Sequence, residues 1–253
     1  NIISNRLGIY VPPVFADEAA RIKQRLDAEG NEASKLPMMR EIDQALGPNN
    51  QRFWAMIADG SNKQRSAEAG RLTSLASLAR TNPSVAVDIT LGREALKADK
   101  NYGPQDSATS RGAMDKLLGN VFTQMPPAAR EAAEGEIMSI YAAESFKNQD
   151  KTGTFNERRM RAAFERRFGG QLPTQSDGTK IIPPVYGWDG DRWNTYLKSL
   201  KPVDLGLGMK PDNKSAALPV LASVKREVSP ELIARNGVFQ NVGNGQYIVR
   251  LNG

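Results

Sequence analysis

The segment from Asn148 to Arg159, NQDKTGTFNERR, has the length and spacing of a calcium-binding loop. Asn148 stands at position one, and Gly153 stands at position six, where such loops turn sharply. The other ligand positions three, five and nine are taken by Asp150, Thr152 and Asn156. Position twelve is Arg159, where calcium loops carry the bidentate Glu that closes the coordination sphere. Because a guanidinium replaces that carboxylate, we predict no metal and interpret the segment as a corner between two helices.

The pair Glu144-Ser145 just before this loop matches the start of a glycan-cleaving motif. Lytic transglycosylases carry such a Glu as a general acid, and the acid needs an apolar pocket to raise its pKa. Here the pair is followed by FKNQDKTGTFNERR, which lacks the Gly-Ala-x-Gly-Leu-x-Gln-like segment that builds the sugar groove. Glu144 is therefore the candidate catalytic residue, and the interpretation we favour is that no residue here is catalytic.

Aromatic residues are concentrated in YGWDGDRWNTY, which begins at Tyr186. Trp188, Trp193 and Tyr196 lie here with two Asp residues, so a contact with a glycan is one interpretation. The interpretation we favour is a core for a small subdomain, because Trp193 and Tyr196 share one face of a predicted helix.

The composition removes several chemistries from consideration. The 253 residues include no Cys and no His, which excludes disulfides, thiolate metal sites and Ser-His-Asp or Cys-His catalysis. We also find no phosphate-binding Gly loop, no dinucleotide motif and no metal-ligand cluster, and so we predict no cofactor.

A basic patch lies in residues 147–168, which hold seven basic and three acidic side chains. The net charge of the whole chain is +6. Such a patch favours phosphates or other anionic partners. The arginines that could bind DNA or an acidic partner are Arg158, Arg159, Arg161, Arg166 and Arg167. The alternative is a solvated helix face.

The elements that must position these residues are mainly helical. From Ala16 to about Phe168, apolar residues recur three and four apart and Gly or Pro punctuates the pattern. We predict a mainly α fold of stacked antiparallel helical hairpins over 1–170. A small α+β tail follows at 171–253, with a short helix in VSPELIARNG and a β-hairpin at 238–251 around Asn244-Gly245. No segment is apolar over the length that a membrane-spanning helix needs.

The order of these signals resembles a region of the large internal virion proteins of tailed bacteriophages, which are ejected with the genome. The similarity rests on YAAES with DKTGTFNERR, on DGTKIIPPVYGWDGDRW, on VSPELIARNG and on VFQNVGNGQYIVRL. The similarity covers about the last 115 residues. The first 130 residues share with the family only a succession of predicted helices. The resemblance implies a structural segment of a virion or ejection conduit, and it carries over no catalytic residue. Proteins of this family often have a lytic transglycosylase domain elsewhere in the chain.

We therefore expect a non-catalytic segment that works through helix-helix and subunit contacts during genome delivery across the host envelope. Its expected partners are other copies, other virion proteins and phage DNA, and its expected location is the virion and then the host envelope or periplasm. The start at Asn1 and the end at Gly253 suggest a segment of a longer polypeptide. The alternatives are a peptidoglycan-cleaving segment and a generic helical scaffold.

Overall fold

The computed structural model describes residues 15–47, 50–119, 121, 125, 127–175, 178–183, 187, 189–199, 237–243 and 246–251. These residues are mainly helical, which confirms the predicted class. The predicted helix in VSPELIARNG, the turn Asn244-Gly245 and the side chain of Trp188 lie outside the described residues.

Nine α-helices occur in the described ranges. They are α1 (Ala16–Ala28), α2 (Leu36–Leu46), α3 (Asn50–Ile57), α4 (Asn62–Thr81), α5 (Pro83–Ala98), α6 (Ser107–Leu118), α7 (Pro127–Lys147), α8 (Glu157–Phe168) and α9 (Gly190–Ser199). A 3₁₀ turn at Lys100–Tyr102 lies between α5 and α6. Pro83 and Pro127 are the first residues of their helices, where the missing N–H costs nothing because the first turn has no intrahelical acceptor.

The chain divides into two compact units, each with its own internal contacts. The helical unit comprises the residues up to Leu118 and from Met125 to Arg167, and the tail unit comprises 119–124 and the residues from Phe168 onward. The predicted division at residue 170 differs mainly in the segment 119–124, which belongs to the tail unit.

The core of the helical unit consists of large apolar side chains from several of its helices. Those that are under 2% exposed include Phe53 and Trp54 of α3, Leu75 of α4, Ile89 of α5, and Ile137 and Tyr141 of α7. Fully burying an aliphatic or aromatic side chain contributes roughly 1.5–3 kcal/mol, so these positions supply much of the driving force for assembly.

Helices α5 and α7 approach each other very closely at Gly92. A Cβ atom on Gly92 of α5 would lie 1.7 Å from the carbonyl oxygen of Ser139 on α7. That distance is far below van der Waals contact, so the two backbones can approach this closely only because position 92 has no side chain.

The tail unit contains the two described strands, β1 (Gly237–Gly243) and β2 (Gln246–Leu251). They pair antiparallel, with Phe239 opposite Val249 and an irregularity between Asn241 and Gly243. The ring of Trp193 on α9 meets the ring of Phe239 edge to face, with centroids 5.2 Å apart.

No helix in the described part of the chain combines the length and the apolar character needed to cross a bilayer.

Candidate functional site at the corner between two helices

The calcium-like segment forms the corner between α7 and α8. Gly153 has a φ of 66°, the left-handed conformation that glycine adopts without strain. Its N–H donates to the carbonyl of Asn101 at 3.1 Å, and its carbonyl accepts from the N–H of Gln105 at 2.9 Å. The turn glycine therefore fixes the corner to the loop that follows α5.

Arg159 lies at the centre of this corner. Its Nη1 donates to Asp150 Oδ2 at 2.8 Å and to Ser145 Oγ at 2.9 Å. Its guanidinium carbon lies 5.2 Å from the centre of the Tyr141 ring, within cation-π range. Arg159 stands where a calcium loop has its bidentate Glu, and its positive charge pairs with the carboxylate of Asp150.

Asp150 is held in its ionised form by these contacts. The hydrogen bond from Arg159, followed by those from the hydroxyl and N–H of Thr152, lowers the pKa of Asp150 to about 2. The carboxylate is therefore charged at any ordinary pH.

Of the other calcium-ligand positions, Thr152 bonds to Asp150, whereas Asn148 and Asn156 have partners elsewhere. Asn148 Nδ2 donates to the carbonyl and to Oε1 of Glu144, and Asn156 Oδ1 accepts from the N–H of Arg159 as an N-terminal cap of α8. No group of three or more His, Cys, Asp or Glu side chains suited to a metal occurs among the described residues.

Tyr141 completes the corner from the buried side of α7. It is 1% exposed, and its hydroxyl donates to the carbonyl of Thr154 at 3.1 Å and accepts from the N–H of Asn156 at 3.0 Å. A narrow cleft is lined by Tyr102, Tyr141, Arg159 and neighbouring residues, and it leaves no enclosed room even for a water-sized group. Small-molecule sites usually measure roughly 300–1,000 Å³, so this cleft is too small for a sugar chain.

Glu144 and Ser145, the glycan-cleaving pair, point in different directions. Glu144 is exposed and its Oε1 accepts from Asn148 at 2.9 Å, whereas Ser145 is buried and its hydroxyl donates to the carbonyl of Tyr141. Glu144 therefore does not lie in the kind of apolar pocket that a glycosidase acid requires.

The last two arginines of α8 face carboxylates inside the helical unit. Arg166 Nε donates to Asp88 Oδ2 at 3.0 Å, and Lys147 Nζ donates to the other oxygen of Asp88 at 2.8 Å. Arg167 Nε donates to Oε2 of Glu136, which is 0% exposed, at 2.6 Å. Both side chains join helix α8 to a neighbouring helix.

Arg158 and Arg161 lie on the solvent-exposed face of α8. Arg161 Nη2 is 3.9 Å from Glu157 Oε1, at the outer limit of an ion pair. Four of the five arginines of the predicted basic patch, Arg159, Arg161, Arg166 and Arg167, thus pair with carboxylates of this same chain, Arg161 only at that limit. Arg158, Arg161 and Arg166 are exposed, whereas the side chains of Arg159 and Arg167 are mostly covered.

The sequence interpretation missed the carboxylates that pair with arginines within the helical unit, of which Glu32 is the first. Burial by itself would raise the pKa of Glu32, but the attraction of Arg93 and Arg71 outweighs it and lowers that pKa below the usual value. The Arg71 and Arg93 Nη1 atoms lie 2.5 and 2.7 Å from the same Glu32 oxygen.

A second missed carboxylate is Asp43 of α2, which is 2% exposed. It pairs with Nε of Arg80 on α4 at 2.6 Å and accepts from Asn50. The signal that could have found Asp88 and Glu136 is a single charge inside an apolar run, as in SVAVDITL and GEIMSIYAA.

Of the predicted aromatic group, Trp193 belongs to the interior of the tail unit. It is 1% exposed and its ring lies 5.6 Å from that of Tyr196, which is half-buried. A glycan could therefore reach little of Trp193.

These features define a mainly helical protein whose ionisable side chains join one helix to the next. The chain matches no protein-family model, no curated protein and no solved structure.

Proposed function

We propose that this chain is a non-catalytic structural segment of the type found in internal virion proteins of tailed bacteriophages. In this proposal its helices stack as antiparallel hairpins and contact other subunits during genome delivery across the host envelope. The proposed location is the virion and, after ejection, the host envelope or periplasm.

The observation that carries the proposal is the use made of the charged side chains. Asp150, Asp88 and Glu136 could each have served as an acid or a ligand, yet each accepts from an arginine of α8. A carboxylate held by a guanidinium keeps its position, which suits a fixed joint between helices better than proton transfer. The phage type itself is supported by the sequence resemblance over about the last 115 residues.

Peptidoglycan cleavage is the alternative from a different class, with Glu144 or a carboxylate of the tail as its acid. The exposed position of Glu144 and its bond from Asn148 do not favour that role. A generic helical scaffold is the third possibility, and it differs from the first only in where the protein is found.

Mass spectrometry of purified virus particles tests the proposed location. Particles would be collected from cells that encode the chain, before and after DNA ejection is triggered in vitro. We expect tryptic peptides of this chain in DNA-filled particles and a marked loss of them from emptied ones, with a major capsid protein as the internal standard. Absence of the peptides from filled particles would overturn the virion proposal and leave a helical scaffold.

A further inference from the structure

The connection between α3 and α4 contains an exposed Asp-Gly pair, Asp59-Gly60. The side chain of Asp59 is 80% exposed, and its carboxylate contacts Lys23 Nζ at 3.0 Å. An ion pair exposed in this way holds its carboxylate only weakly. The pair lies outside both helices, since α3 ends at Ile57 and Ser61 is the N-cap of α4. The Asp59 side chain can therefore turn toward the next peptide without breaking a helical hydrogen bond.

Gly60 leaves its own backbone nitrogen open to that side chain. Its φ of 102° is one that a residue with a Cβ rarely adopts, and a Cβ here would lie 2.8 Å from Cβ of Gln64. The turn therefore requires glycine at this position. In the described part of the chain, the N–H of Gly60 has no acceptor. The nitrogen next to the Asp59 carboxyl group is thus neither shielded by a side chain nor held by a hydrogen bond.

We propose that Asp59 is a site of spontaneous isomerisation to isoaspartate. The nitrogen of Gly60 attacks Cγ of the protonated carboxyl group, so that a Cγ–N bond forms and a Cγ–O bond breaks. One water molecule leaves, and it carries the hydroxyl of the carboxyl group and the proton of the N–H. The product is a cyclic imide. One water molecule then opens this ring, and attack at the main-chain carbonyl gives isoaspartate while attack at Cγ returns aspartate.

The same dipeptide at Asp189-Gly190 is protected by its place in the fold. Asp189 Oδ1 accepts from the N–H of Arg192 at 2.9 Å, and the carbonyl of Asp189 accepts from the N–H of Trp193 at 3.0 Å. The glycine of this pair is the first residue of α9. Ring closure would therefore have to break the cap of α9 and turn its first peptide. A third pair, Asp177-Gly178, begins at a residue outside the described ones.

Isoaspartate at position 59 would change the connection that precedes α4. Its main chain runs through Cβ and Cγ, so the link between α3 and α4 gains one backbone carbon. The added carbon lies just before the capping box that Ser61 and Gln64 form at the start of α4. This inference goes beyond the proposed function and does not depend on it, because it follows from the geometry of one turn.

Peptide mapping of the full chain measures the two described sites separately. After incubation in mildly acidic buffer, trypsin releases Asp59 in residues 53–63 and Asp189 in residues 181–192. Electron-transfer fragmentation distinguishes isoaspartate from aspartate, which has the same mass. We expect isoaspartate to form about ten times faster at Asp59 than at Asp189, because the reaction at Asp189 must first give up an N-cap. A rate at Asp59 no greater than that at Asp189 would overturn the proposal.

Unfolding the chain in guanidinium chloride is the control for the fold. The cap of α9 is then lost, and we expect the rates at Asp59 and Asp189 to converge. A difference that persists in the unfolded chain would show that neighbouring residues in sequence set the rates, and this result also overturns the proposal.

Asp59→Glu is the matched variant, since it keeps the charge beside Lys23 while its longer side chain cannot form the same ring. A folded Asp59→Glu should form no isoaspartate in residues 53–63. An amount equal to that of the unmodified chain would place the reaction at Asn62, the other residue of this peptide that can form the imide, and would overturn the assignment to Asp59.

Discussion

Arg159 illustrates how one residue changes the chemistry of a loop. It stands at position twelve of a calcium-like spacing and forms an ion pair with Asp150. In a calcium loop the positive charge beside this carboxylate would be the metal ion. Because Arg159 also contacts Ser145 and Tyr141 on α7, the same side chain fixes the angle at which α8 leaves the corner.

The Asp150 contact predicts an acid-dependent loss of stability. The folded-state pKa of Asp150, about 2, is below its ordinary value of 3.8. The ionised form therefore stabilises the fold fully above the ordinary value, and this contribution is lost as the pH falls through the folded-state pKa. We expect Asp150→Asn to lose less stability than the unmodified chain between about pH 4 and pH 2, as measured by urea midpoints. Parallel pH curves would contradict the assignment.

The buried pair of Glu136 and Arg167 predicts a larger effect. Arg167→Met leaves a carboxylate that is 0% exposed without its partner, and we expect a loss of roughly 3–5 kcal/mol in the free energy of unfolding. The double variant Glu136→Leu with Arg167→Met removes both charges and should recover most of this loss. Urea unfolding of the three chains measures both steps. A double variant as unstable as Arg167→Met would show that the buried charge is not the cause.

The sequence predicted part of this site at the residue scale. The spacing identified the turn at Gly153, and Arg159 at position twelve is the residue on which the prediction of no metal rests. The ion pairs of Arg166 and Arg167 could not be predicted, because their partners lie 78 and 31 residues earlier in the chain. A run of arginines looks the same in sequence whether it faces solvent or faces carboxylates on adjacent helices.

At the scale of elements, the contact between α5 and α7 depends on Gly92. We expect Gly92→Ala to destabilise the chain by roughly 2 kcal/mol or more, because overpacking outweighs the gain of about 1 kcal/mol in helix propensity. Gly135→Ala is the matched control on α7, since nothing lies within 4 Å of its added Cβ. It should stabilise the chain by about 0.5–1 kcal/mol. Thermal and urea unfolding should show changes of opposite sign in the free energy of unfolding of Gly92→Ala and Gly135→Ala. Equal changes in the two variants would contradict the close approach of α5 and α7.

The solvent face of α8 is the element through which DNA or another polyanion would bind. We expect the double variant Arg158→Ala, Arg161→Ala to bind duplex DNA more weakly and to reduce the slope of log K against log salt by about two. The control, Arg21→Ala with Arg25→Ala, removes the same charge from exposed positions of α1. A slope that falls equally in both variants, or in neither, would show that this face is not the site of the predicted DNA contact.

Sequence periodicity predicted the helices well and their partners poorly. Pro83 and Pro127 marked the starts of α5 and α7, because proline suits the first turn. That Gly92 packs against the backbone of Ser139 depends on the tertiary structure, and a local sequence pattern cannot predict it. Gln175 likewise reads as a loop residue, and the hydrogen bond that it donates to the carbonyl of Phe239 depends on a segment 64 residues later.

At the scale of the whole molecule, the absence of His and Cys has a consequence for stability. These are the side chains whose ordinary pKa values allow titration near neutral pH, so we expect the free energy of unfolding to vary by less than about 1 kcal/mol between pH 6 and 8. Urea titrations at several pH values in that range measure this. A steep dependence would identify a carboxylate or lysine with a strongly shifted pKa.

We propose that the charged side chains of this protein maintain a helical structure and do not catalyse a reaction. Muropeptide release from purified peptidoglycan by the purified chain tests this most directly, with lysozyme as the positive control and Glu144→Gln as the matched variant. We predict release no greater than that in buffer for both forms of the chain. Release by the unmodified chain that is lost in a folded Glu144→Gln variant would contradict the account and make Glu144 a catalytic acid.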